Sequence, residues 1–147
     1  MIKMLKLIHS YWAYIVLLIL VIAVVNAIIG AISKKEFGAK DLKISLFALI
    51  ASHIQLLIGL VAFYFSEFYT VMKSVGMGET MKNSELRKIL IEHPLVGIIG
   101  IVLITVGFSK HKKKTTSAEK FKTIAIFYTI ALILILSRIP WTNWFSN

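Results

Sequence analysis

The sequence predicts an all-α fold, a transmembrane up-and-down four-helix bundle, and three observations carry that expectation. Four long apolar runs divide the 147 residues, lysines gather in the short links between them, and aromatic residues mark the opposite ends. At 58% hydrophobic residues and a positive mean hydropathy the chain is too apolar for water to be its main solvent.

The runs cover residues 8–32, 44–65, 89–108 and 121–139. Each is long enough to cross a hydrocarbon core of about 30 Å as a helix, the form that satisfies every backbone group inside its own segment. Four spans with their links account for the whole length, so a single transmembrane domain over residues 1–147 is expected. The first run lacks a small-residue cleavage site and reads as a retained span, not a signal peptide.

Charge sets the orientation. The first link carries Lys34, Lys35, Lys40 and Lys43, and the third carries Lys110, Lys112, Lys113, Lys114, Lys120 and Lys122. Lysine-rich short links stay on the cytoplasmic side, which places both termini outside the cytoplasm. The middle loop, residues 67–88, balances its bases with Glu67, Glu79 and Glu85 and is expected to face outward. Asn83 or Ser84 followed by Glu85 marks the start of the third helix. Tyr11, Trp12 and Tyr14, then Phe68 and Tyr69, then Trp141 and Trp144 are the interfacial anchors of that outer side, and Pro140 ends the last helix. The net charge of +10 belongs to these links, where it meets lipid headgroups, so nucleic acid is not an expected partner.

Small residues at helical spacing mark the faces on which helices meet in lipid. One stripe runs His9, Ala13, Val16, Leu20, Ala23, Ala27, Gly30; a second runs Ser45, Ala48, Ser52, Gln55, Gly59, Ala62, Ser66. The third is His93, Gly97, Gly100, Ile104, Gly107, and the fourth, with fewer small residues, is Ala118, Lys122, Ala125, Thr129, Leu132, Leu136. Steps of three and four are those of a left-handed bundle whose short links join antiparallel neighbours.

The chemistry on offer is sparse. No cysteine is present, which removes thiolate metal sites, iron–sulfur clusters and covalent haem attachment. No nucleophile elbow, phosphate loop or HExxH pattern occurs, so an electron carrier or accessory subunit is expected in place of a hydrolase or kinase. Ionisable groups within spans are costly and count as functional candidates. His9, His53 and His93 lie within the spans, while His111 reads as a solvated residue of the lysine-rich link.

Neutral imidazoles on facing helices are the usual axial ligands of haem b. His93, His53, His9 and Arg138 are therefore the candidate cofactor-binding residues, with His93 and His53 as the metal ligands and Arg138 as a partner for a propionate. Counting from the lysine-rich ends at 1.5 Å per residue puts His53 roughly 14 Å, His93 roughly 22 Å and His9 roughly 34 Å deep. No pair is level on that count. Glu92, beside His93 and before Pro94, is a candidate proton-handling group; Asn26 and Gln55 are expected to bond across helices; Met72, Met77 and Met81 are soft donors suited to Cu(I).

The segments His53-Ile54-Gln55-Leu56-Leu57-Ile58-Gly59-Leu60, Glu92-His93-Pro94-Leu95 and Ser137-Arg138-Ile139-Pro140-Trp141 resemble those of small bacterial four-helix integral membrane proteins labelled cytochrome b-like. The likeness spans nearly the whole chain, from His9-Ser10 to Pro140-Trp141. It implies a four-helix bundle in the inner (cytoplasmic) membrane, a haem, and electron transfer. The alternative is a haem-free accessory subunit of a larger membrane complex. Partners are then the bilayer itself, with partner membrane subunits or a second copy of the chain.

Overall fold

A computed structural model describes residues 2–141, so Trp144 lies outside the described residues. The chain runs α1 (Ile2–Ile32), α2 (Ala39–Tyr64), α3 (Glu67–Lys82), α4 (Ser84–Arg87), a π-helical turn (Lys88–Glu92), α5 (His93–Lys112) and α6 (Ser117–Ser137). Four helical stretches are long and apolar enough to cross a membrane: Ile2–Ile32, Ala39–Tyr64, Ser84–Lys112 and Ser117–Ser137. The chain is a membrane protein built as an all-α bundle.

The stretches outrun the apolar runs at most of their ends, because hydropathy registers the hydrocarbon slab and not the last turn of a helix. Lys3, Lys6, Lys40 and Lys43 are helical although charged; a long lysine stem lies along apolar surface while its ammonium reaches water. Each junction has a local cause. Lys34 takes φ +56, and Lys35 N–H returns to the Gly30 carbonyl at 3.2 Å, closing α1 with a Schellman turn on a non-glycine residue. Asp41 Oδ2 accepts the Gly38 N–H at 2.9 Å and so starts α2. Thr116 caps α6 through the Glu119 N–H at 3.2 Å, and Asn83 caps α4 through the N–H groups of Glu85 and Leu86, as the sequence signal there predicts.

The middle loop differs from expectation, since most of it is the helix α3. Ser66 caps it by accepting the Tyr69 N–H at 3.1 Å, Glu67 sits in its first turn and Lys82 in its last. Gly76, at φ +88, breaks it in the middle, which is why no continuous helical pattern shows in the sequence.

Around the bundle, α1 lies between α2 and α6, α5 lies against α6, and a lighter contact of α5 with α2 closes the ring. Sequential spans are antiparallel neighbours, with α1 diagonal to α5 and α2 diagonal to α6. The core is Leu20, Ala23, Val24 and Ala27 of α1, Ala48 of α2, Ile104 of α5, and Phe121, Ile124, Tyr128 and Ala131 of α6. Side chains such as Leu18, Phe47, Leu57, Val102 and Ile133 are exposed on the outside, a surface suited to acyl chains.

The stripes foreseen on α1, α2 and α5 supply much of the buried seam. On α6 the buried face is Phe121, Ile124, Tyr128 and Ala131, one residue from the stripe expected there. The reason is division of labour: α6 supplies the knobs and its neighbours the holes. The Phe121 ring sits on Gly30, Phe127 on Gly107, and Ile135 Cγ1 would stand 2.8 Å from a Cβ at Gly100. Searching for small residues therefore misses α6. Tyr128, fully buried, carries its hydroxyl across the diagonal to donate to the Ser45 carbonyl at 2.8 Å.

Candidate functional site

At the end of the bundle away from the lysine-rich links, four helices bring polar groups to the bundle axis. His9 descends from the first turns of α1, Gln55 and Gly59 come from the far half of α2, Glu92 and His93 stand where the π-helical turn becomes α5, and Arg138 follows α6. The π turn is where Pro94 makes itself felt. Proline lacks the N–H for an α bond and crowds the carbonyl four residues back. Here the preceding turn widens, and His93 N–H reaches the Lys88 carbonyl, five residues back.

The rings of His9 and His93 meet across the α1–α5 diagonal, centroids 6.2 Å apart and planes at 77°. His93 Nδ1–H donates to the Arg138 carbonyl at 3.1 Å. A carbonyl can only accept, so the neutral ring keeps its lone pair on Nε2. On the other side, Gln55 donates its amide to the His9 carbonyl at 2.8 Å, fixing α2 against α1. Gly59 lets α2 approach: a Cβ there would stand 3.0 Å from His9 Cε1. Among the described residues two buried side-chain atoms have no hydrogen-bond partner, His9 Nδ1 and Gln55 Oε1. Buried polar atoms without a partner are rare in native proteins and point to a bound polar group.

Glu92 joins two cations, taking Arg87 Nε at 2.8 Å and Arg138 Nε at 3.4 Å. Arg87 also donates to the Met81 carbonyl at 2.9 Å, which ties α3 to the site. Trp12 donates its indole N–H to the Ala51 carbonyl at 2.9 Å, so it pins α1 to α2.

Of the expected site residues, then, His9, His93 and Arg138 come together. His53 stands apart. Its ring is on the exposed face of α2, with Nδ1 bonded to the Leu49 carbonyl at 2.9 Å and Nε2 lying 3.2 Å from the Thr105 hydroxyl of α5. The ring contact of His93 is with His9, not with the His53 expected to share a metal with it. The depth count erred at a helix end: α5 runs to Lys112, not residue 108, which lifts His93 by about 6 Å and halves its expected mismatch with His9. Asn26 and Gln55 bond across helices as expected, Asn26 Nδ2 to Asp41 Oδ1 at 3.0 Å. Met77 and Met81 are exposed on α3, and among the described residues no three His, Asp or Glu side chains form a metal cluster.

Sequence reasoning missed three groups. Asp41 is 2% exposed and gathers Asn26, Lys35 and the Gly38 N–H; its signal was an acid three residues into a helix behind a glycine. Arg87 was hidden because its partner Glu92 is five residues on, a spacing that only the π turn brings into register. His111 is buried at 1% exposure and not solvated, because α5 carries it inward as helix instead of link.

A comparison of the chain with protein-family models, with curated proteins and with solved structures finds no match.

Proposed function

We propose that this chain is a small membrane-embedded electron carrier or electron-transfer subunit of the b-type cytochrome kind, with haem b held between His9 and His93. One observation carries the reading: two imidazoles from diagonal helices meet on the bundle axis with centroids 6.2 Å apart. Brought this close, His9 and His93 would each offer a ring nitrogen to haem iron. The donor set suits such a group, being neutral nitrogen from facing helices of a bundle. When bound, haem supplies one-electron transfer.

The chain's own residues prepare that site. The Arg138 carbonyl holds the His93 tautomer and ring orientation, leaving Nε2 with the lone pair that would ligate the iron. Gln55 holds the backbone that carries His9. Arg138 and Arg87 are the cations a propionate would meet. The lysine-rich links lie in the cytoplasm on this reading, which puts the site near the outer face of the inner membrane, within reach of an external partner.

A second reading, a haem-free accessory subunit, has one observation in its favour: Glu92 already engages both Arg87 and Arg138. The polar cluster then serves to lock four helices together. Absorption spectra with a pyridine haemochrome assay on protein from haem-replete cells separate the two. The haem reading expects a Soret band that His9→Ala and His93→Ala each abolish and His53→Ala keeps. A colourless wild type rejects it, and loss of the band in His53→Ala alone moves the ligand to α2.

A further inference from the structure

The two orphaned atoms beside the histidine pair, His9 Nδ1 and Gln55 Oε1, lie in the same seam between α1 and α2. We propose that Gln55 is a positioning residue for His9, its Oε1 accepting the Nδ1–H when Nε2 ligates haem iron. The inference rests on the haem reading above and goes beyond it. On this view the glutamine sets the electron density of the ligand, and through it the reduction potential.

Valence fixes each side of that bond. Gln55 turns its amide so that one end lies 2.8 Å from the His9 carbonyl. A carbonyl only accepts, so that end is the NH2 group and the oxygen is left as the acceptor. A neutral imidazole has one N–H, and ligation through Nε2 leaves the proton on Nδ1. His9 then holds a buried donor and Gln55 a buried acceptor, each without a partner among the described residues. Each costs free energy for as long as it goes unmatched.

The backbone brings the two together. Gln55 and Gly59 stand about one turn apart on the same face of α2. A Cβ on Gly59 would be 3.0 Å from Cε1, 3.5 Å from Nδ1 and 4.0 Å from Nε2 of His9. The Nδ1–Cε1 edge of the ring is therefore the edge turned to α2, where Gln55 lies. His93 has the matching arrangement, its Nδ1–H donated to the Arg138 carbonyl at 3.1 Å. With Gln55 as acceptor for His9, both imidazoles have Nδ1 held by the protein and Nε2 left to the metal. A ligating imidazole that donates its other N–H is more basic, and a more basic ligand favours the ferric form.

Redox titration of the haem absorbance on the full purified chain tests this, with haem affinity measured by transfer to a competing apoprotein. Gln55→Leu removes the acceptor and is expected to weaken ferric haem binding by about 10–100-fold, the usual range for losing such a partner. Ferrous binding falls less, so the potential is expected to rise; a tenfold difference between the two forms reads as about 59 mV. Gln55→Glu puts a full charge on the acceptor and is expected to move the potential the other way, below the wild type. Asn26→Leu is the control. It cuts the bond from α1 to Asp41 at the far end of the bundle, so it is expected to lower stability and leave the potential alone. Should circular dichroism show that Gln55→Leu does not fold, Gln55→Glu carries the test by itself. A wild type with a Soret band whose potential is the same in the Gln55 variants, or moves equally in Asn26→Leu, overturns the role of Gln55 and leaves the haem reading standing. A colourless wild type overturns both.

Discussion

Replacing Gly30 by alanine tests how the bundle is packed, because the Cβ has nowhere to go. It would fall on the Phe121 ring, which is fully buried and also packs against Phe37 at 4.9 Å between centroids. Either the ring leaves its rotamer or α1 moves off α6, and overpacking of this kind costs about 1–3 kcal/mol. Alanine returns about 0.5–1 kcal/mol of helix propensity, which leaves a net loss of about 1–2 kcal/mol. For a chain of this size that lowers the unfolding midpoint by about 2–8 °C. Gly97 is the control. It sits on an equally good stripe of small residues in the sequence, but a Cβ there meets nothing within 4 Å. Gly97→Ala is expected to leave the midpoint unchanged or to raise it by about 1–3 °C. Circular dichroism of both variants in one detergent supplies the midpoints. The cost at Gly30 is also expected to shrink in a Phe121→Leu background, since the two positions share one contact. Equal effects at Gly30 and Gly97, or no coupling between Gly30 and Phe121, would refute the reasoning.

Other expectations follow from single contacts. Lys34→Gly relieves the left-handed turn after α1 and is expected to stabilise by up to about 1 kcal/mol, seen as a higher midpoint. Tyr128→Phe removes the bond to the Ser45 carbonyl across the core; a loss of about 1 kcal/mol is expected, within the span of interhelical hydrogen bonds in lipid. Trp12→Phe removes the bond to the Ala51 carbonyl and is expected to cost a similar amount, with a change in tryptophan emission between native and unfolded protein as the readout. Asp41→Ala strips Asn26, Lys35 and the Gly38 N–H of their shared acceptor, so an unfolding midpoint lowered by more than that of Tyr128→Phe is expected.

Much of the fold was legible because lipid imposes a coarse rule on long apolar helices, and residues 8–32 and 89–108 obey it. What escaped was whatever depended on the ends of helices. The depth assigned to His93 was wrong because Lys110, His111 and Lys112 look like a link while forming the last turn of α5. The pairing of His9 with His93 follows from that turn, and so does the burial of His111. The face of α6 escaped for another reason. Phe121 and Tyr128 are large, and a rule that seeks small residues sees only one partner of each knob-and-hole contact. Glu92 stood out in the sequence and Arg87 did not, because their ion pair needs a turn of unusual width that nothing but Pro94 hinted at.

The wide turn at Lys88–Glu92 also makes this stretch forgiving of a change in length. A π turn holds one more residue than an α turn, so deleting a single residue there restores ordinary winding and leaves α5 where it was. Everything upstream would keep its place as well, because the residue removed is the extra one that the turn absorbs. The Arg87–Glu92 clasp would pass from a spacing of five residues in a π turn to one of four in an α turn, which also brings the two side chains together, so the seat of α3 on the bundle would be kept.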